Sequence, residues 1–262
     1  MNKLFLTILS AVILPLSLGG CNNSPSSLVA QYSETVSRYE NCLAQKDSTC
    51  ASENKKSAIS LYSEIEDINL DDANFFSALD FNRNERNKRL RNEFNAAMVK
   101  MTKTLFADGD YNQAGAFYYK TNFLLSKQDS LIMLGDLVKN IHSVSDKNKQ
   151  HLVGIAYLNN MPYESFLISL SYENYPYYAP SEIISLLEKY NCYSDAALMT
   201  NYFAKFNNDT YNTIIDKYQE LMNSLTKEQI SSLNQKTREL IKDNHKPSLS
   251  SDCELNFYKK LS

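Results

Sequence analysis

The side chains with the most chemistry to offer are five cysteines, Cys21, Cys42, Cys50, Cys192 and Cys253. A thiol can be acylated, oxidised to a disulfide, bound to a metal or used as a nucleophile, and spacing and surroundings decide which. Cys21 stands apart, at the end of an apolar run. The other four are an even number, which in an oxidising compartment reads as two disulfides. Three pairings are open, with buried free thiols as the alternative. The pairing favoured is Cys42–Cys50 with Cys192–Cys253, because each joins segments expected to end adjacent helices. Metal binding has little support, since Cys42 and Cys50 do not form a C-x-x-C and no histidine lies near them. His142 and His151 are nine apart, on opposite faces of any continuous helix, and His245 sits beside Pro247 among charged residues. There is no G-x-S-x-G and no H-E-x-x-H. The acidic runs Glu64-Ile65-Glu66, Asp71-Asp72 and Asp108-Gly109-Asp110 fall near helix ends, where carboxylates usually cap. The sequence thus points to no enzyme, no metal ligand set and no cofactor.

What leads up to Cys21 gives that thiol its meaning. Met1-Asn2-Lys3 carries one positive side chain, and Leu4 to Leu18 is apolar apart from Thr7, Ser10, Pro15 and Ser17. That run is shorter than the roughly 20 residues a spanning helix needs and suits the apolar region of a signal peptide. It closes on Leu18-Gly19-Gly20-Cys21, an aliphatic residue and two small ones before the cysteine. This resembles the lipobox of bacterial lipoproteins, a likeness confined to the first 21 residues. The resemblance implies cleavage before Cys21, lipidation of its thiol and a membrane anchor. Asn22, in place of the aspartate typical of inner-membrane retention, implies the outer membrane, with the chain facing the periplasm. Residues 1–20 are thus expected to be a signal peptide, 21–27 a lipidated polar tether and 28–262 a single α-helical domain.

Removing residues 1–20 of 262 leaves 242, enough to bury a sizeable core. The net charge of −3 and the absence of any block of like charge give no electrostatic footprint for nucleic acid. Six glycines and six prolines are too few to punctuate an all-β chain of many hairpins. Eighteen tyrosines and twelve phenylalanines supply the bulk that an absence of tryptophan withholds.

Apolar residues recur at spacings of three and four almost throughout, so the expected class is all-α. Helices are expected over 28–44, 55–68, about 73–108, 129–143, 147–159, 162–172, 183–190, 194–206 and 209–224. A further helix should follow the capping box of Thr226 and Gln229. Pro247 and the serines from Ser248 to Ser251 are expected to end regular structure, with Cys253 fastening the remainder.

Gly109-Asp110-Tyr111-Asn112-Gln113-Ala114, with Tyr118 and Thr121 beyond it, resembles the turn and second helix of a tetratricopeptide repeat. The resemblance implies that Gly109 makes a tight turn, Tyr111 plugs a groove between paired helices and Ala114 lets two backbones approach. The sequence departs from the repeat at Thr102, Thr121 and Ser126. Weaker echoes occur at residues 161–166 and 191–196, without a regular period. The fold expected is an irregular antiparallel solenoid or bundle of tetratricopeptide-like helix pairs; a generic helical bundle containing the motif fits the residues equally well.

Two surfaces could meet a partner. Tyr175, Tyr177 and Tyr178 crowd around Pro176, either as an exposed patch or as rings folded back on the core. Arg83, Arg86, Lys88, Arg89 and Arg91 could meet an anionic partner or form a solvated face laced with ion pairs. The function expected is a membrane-anchored, non-enzymatic scaffold or assembly factor of the envelope, with a protein or peptide as partner. The resemblance is architectural, to pilotins and to the lipoproteins of barrel-assembly machines. A peptidoglycan-acting enzyme or its inhibitor, and a surface-exposed lipoprotein, are the alternatives.

Overall fold

A computed structural model describes residues 24–67 and 81–259 apart from 174, 177, 207 and 244, together with the backbone but not the side chains of 67, 81–87, 206, 208–210, 258 and 259. The expected signal peptide, with Leu18, Gly19 and Gly20, and also Cys21, Asp71, Asp72 and Tyr177, lie outside the described residues. Those described are all-α, without strands. The helices are α1 (Pro25–Ala44), α2 (Ser48–Asp67), α3 (Phe81–Asp108), α4 (Tyr111–Thr121), α5 (Lys127–Lys139) and α6 (Asp146–Leu158). They continue as α7 (Pro162–Leu170), α8 (Ala179–Lys189), α9 (Tyr193–Phe206), α10 (Asn208–Ser224), α11 (Lys227–Lys242) and α12 (Ser251–Lys259). Among the described residues, no helix is long and apolar enough to cross a membrane.

Four hairpins share one turn. Lys46, Gly109, Asn160 and Asn191 all have φ between +57° and +74°. Each follows a helix, and the amide of the residue after it donates five residues back, to the carbonyls of Cys42, Leu105, Ala156 and Leu187. This is the Schellman closure, which satisfies carbonyls a helix end leaves orphaned. The same following residue opens the next helix, accepting from the amides of Ala51, Ala114, Ser165 and Ala196 at 2.8–3.0 Å. Those four small residues are all buried, one at the inner edge of each turn. Short connections of this kind force antiparallel neighbours, giving the packed pairs α1–α2, α3–α4, α6–α7 and α8–α9.

The pairs stack around three cores in series. The first gathers Tyr32, Val36 and Tyr39 of α1, Tyr62 and Ile65 of α2, and Met101 and Leu105 of α3. The second holds Tyr118, Leu134, Leu137, Leu152 and Ile168. The third holds Phe166, Ile183, Leu187, Met199, Phe203 and Phe257. α4 joins the first two, giving Phe117 to one and Tyr118 to the other. α7 joins the last two in the same way, through Ile168 and Phe166. Each core therefore depends on its neighbour, as in a solenoid.

Several boundaries differ from expectation, each for a local reason. α1 begins at Pro25, inside the stretch expected to be tether, because Ser24 caps it and proline is favoured in the first turn. α2 begins at Ser48, seven residues before Lys55, since the Lys46 turn closes directly into it. The serine run before Cys253 does not end regular structure: the Ser250 hydroxyl accepts from the Cys253 amide at 3.3 Å and starts α12. The capping box at Thr226 and Gln229 forms as expected.

Candidate functional site

The two disulfides join Cys42 to Cys50 and Cys192 to Cys253, with Cα atoms 5.6 and 5.1 Å apart. The first braces the α1–α2 turn. The second ties α12 to the start of α9, and Phe257 completes the attachment by stacking 4.4 Å from Tyr190. Among the described residues, Cys192, Asp195 and Cys253 come together as a possible ligand trio. Their sulfurs are spent on each other, and the Asp195 carboxylate accepts from the amide and hydroxyl of Ser250.

The repeat-like motif is structural. Gly109 supplies its positive φ, and a β-carbon there would meet nothing within 4 Å, so the turn requires glycine for conformation and not for space. Ala114 is fully buried between helices. Tyr111 is half-buried, its ring edge-on to Phe106 at 6.3 Å. Tyr118 is buried and bonds to the hydroxyl and carbonyl of Ser130 at 2.8 and 3.0 Å.

Two of the tyrosines before Pro176 turn inward. Tyr172 is buried, and the half-buried Tyr175 donates to the Leu170 carbonyl at 3.2 Å and meets Phe203 edge-on at 4.9 Å. The expected patch of Tyr175, Tyr177 and Tyr178 therefore loses Tyr175, which belongs to the core, while Tyr178 is half-buried. In the basic stretch Lys88, Arg89 and Arg91 are exposed and Arg89 pairs with Glu93 at 3.0 Å, the geometry of a solvated face. His151 stacks on Tyr119 at 4.0 Å, while His142 and His245 are exposed elsewhere.

The feature that sequence reasoning missed is a cleft of about 400 Å³ between α6 and α8, with α7 as its floor. α6 contributes Val153, Gly154 and Tyr157, and α8 contributes Glu182, Ile183, Ser185, Leu186 and Lys189. Those α8 positions recur at three and four, so they form one face of that helix. Ser165 and Ser169, one turn apart on α7, keep the floor low. Ser165 is the small residue of the α6–α7 turn, and its hydroxyl donates to the Val153 carbonyl at 3.3 Å. The turn that pairs α6 with α7 therefore also sets the depth of the cleft. At the mouth Tyr157 is 58% exposed. Lys189 holds its ammonium 5.5 Å over the Tyr157 ring. At the opposite end partial burial raises the pKa of the Glu182 carboxyl.

Two lysines fix the floor by capping the C-terminus of α7. Lys149, buried, donates to the Ser171 carbonyl at 2.8 Å and to Asp146 at 3.0 Å. Lys246 donates to the carbonyls of Leu170 and Tyr172, and burial and the neighbouring Lys149 charge lower its pKa. Cations at a helix C-terminus satisfy its orphan carbonyls and complement its dipole. The sequence signals for the cleft are a glycine within α6 and a tyrosine, Tyr157, beside a turn. Neither reveals which helices face each other.

No protein-family model matches the chain. No curated protein and no solved structure matches it either.

Proposed function

We propose that the chain is a lipid-anchored protein of the bacterial envelope, held at the outer membrane through Cys21 and acting as a non-enzymatic scaffold for another protein. The anchor rests on the apolar run that ends in Leu18-Gly19-Gly20-Cys21. The scaffold reading rests on the open, apolar cleft between α6 and α8. Its two charged side chains, Glu182 and Lys189, stand seven residues apart on α8, roughly 10 Å along the axis. That separation suits the orientation of a bound chain and is too long for direct proton transfer between them. The aromatic residue at the mouth, Tyr157, is of a type that anchors protein interfaces.

The test is crosslinking in intact envelopes, followed by identification of what is joined to the tagged full-length chain. A reproducible protein partner is expected, and Cys21→Ala should abolish fatty-acid labelling and release the chain from the membrane fraction. Recovery of no reproducible partner would sink the scaffold reading. Unchanged membrane retention and labelling of Cys21→Ala would sink the anchor.

A further inference from the structure

We propose that the α6–α8 cleft takes one short amphipathic helix of the partner, lying antiparallel to α8, with acidic residues at its N-terminal end beside Lys189 and basic residues at its C-terminal end beside Glu182. This rests on the scaffold reading and adds to it the shape, polarity and charge order of the bound segment.

The walls decide the shape. Both are helices, whose backbone groups are already bonded internally, so they offer side chains and no free N–H or C=O. An extended segment pressed into the cleft would bury unpaired backbone groups, whereas a helix satisfies its own. The lining spans Glu182 to Lys189, two helical turns, and so matches an apolar stripe at i, i+3, i+4 and i+7.

The charges decide the direction. The carboxylate stands at the N-terminal end of α8 and the ammonium at its C-terminal end. A partner helix is stabilised by acidic residues in its first turn and basic residues in its last. Those preferences meet Lys189 and Glu182 together only when the partner runs opposite to α8, which also sets the two helix dipoles head to tail.

Gly154 supplies the room. Glycine inside a helix lowers stability relative to alanine, and here a β-carbon would meet nothing within 4 Å. The packing of α6 therefore does not require it; the open wall of the cleft does.

The probe is a helix-stapled peptide of three turns with an apolar stripe, glutamates in the first turn and lysines in the last, used beside its charge-reversed twin. Binding to the full-length chain in detergent is read by fluorescence anisotropy. The first peptide should bind saturably, and the reversed one more weakly by about tenfold, since antiparallel to α8 both of its ion pairs are repulsive and parallel to α8 its end charges oppose its own helix dipole. Glu182→Lys should weaken binding of the first peptide, and Gly154→Phe should abolish binding while preserving the helical spectrum. Gly135→Phe is the matched control, because Gly135 also lies within a helix with free space at its β-carbon but is not among the cleft residues. Failure of the first peptide to saturate, equal affinity for both, or undiminished binding to Gly154→Phe overturns the proposal. So does equal binding of a proline-locked extended peptide of the same composition, or a Gly154-dependent dimer of the chain. If the crosslinked envelope partner is recovered equally by Gly154→Phe, the scaffold reading survives and the cleft assignment falls.

Discussion

Replacing Gly109 and Gly154 separately by alanine isolates backbone conformation from packing. At both positions a new β-carbon meets nothing within 4 Å, so neither substitution creates a clash. They differ in φ: Gly109 is at +74°, whereas Gly154 lies within α6. An L-residue in the left-handed region is disfavoured by roughly 1–2 kcal/mol. Restricting the unfolded chain returns about 0.4–1 kcal/mol of that. Gly109→Ala should therefore lose about 1 kcal/mol. Gly154→Ala should gain about 0.5–1 kcal/mol, because alanine is the better helix former. The two variants should thus move in opposite directions and differ by about 2 kcal/mol, or about 4–8 °C in Tm for a chain of this size. Urea unfolding of the oxidised chain, followed by far-ultraviolet circular dichroism, measures both. Shifts of the same sign, or an unchanged midpoint for Gly109→Ala, would refute the assignment of the α3–α4 turn to a conformational requirement. The same reasoning predicts that Gly109→Asn is milder than Gly109→Ala, since asparagine already occupies this place at Asn160 and Asn191.

The two disulfides should differ in weight. By loop entropy, closing 61 residues at Cys192–Cys253 contributes about 4 kcal/mol and closing 8 at Cys42–Cys50 about 2.5; denaturation of the two double-alanine variants should rank them in that order. Lys149→Met keeps the aliphatic bulk but strands the Ser171 carbonyl and takes the ammonium from the Asp146 carboxylate, which keeps the Glu173 amide, so a loss of about 2 kcal/mol is expected by urea titration; a loss under about 0.5 kcal/mol would show that the lysine cap is dispensable. Burial raises the pKa of Tyr32, Tyr39, Tyr62, Tyr118 and Tyr202 above the ordinary 10.0. Their contribution to stability is complete below that value and is lost as pH rises beyond it, because the unfolded chain then releases protons that the native one keeps. Lys246, with a lowered pKa, acts in the opposite direction and blunts the onset. Tyrosinate absorbance should therefore rise with loss of helical signal; full ionisation near pH 10 in a folded chain would contradict the burial of these hydroxyls.

The helices were legible because their signal is local. Tyr32, Val36 and Tyr39 recur at four and three and share the buried side of α1, with no knowledge of what they face. The turn was only partly legible. Gly109 announces it, and the echoes at residues 161–166 and 191–196 prove to be the same turn. The copy at Lys46 carries neither the glycine nor the tyrosine. There the backbone bonding repeats while the side chains do not, so a motif search has nothing to find. α12 was missed because serine and proline read as breakers, although Ser250 also serves as a cap.

Acting alone, the sequence determined the all-α class, the periodic core faces, the even set of cysteines available for bridging and the apolar run that ends at Cys21. These depend on residues near one another along the chain or on their count. The tertiary structure decided what Tyr175 does, since it is held by Leu170, Phe203 and the Lys246 ammonium above its ring. It also decided where a partner can sit. The cleft draws Val153, Ser169 and Leu186 from three helices, and its depth comes from Ser165 at the inner edge of a turn. A concave surface is a relation between helices, fixed by how their ridges and small residues pack; spacing within any one helix cannot encode it.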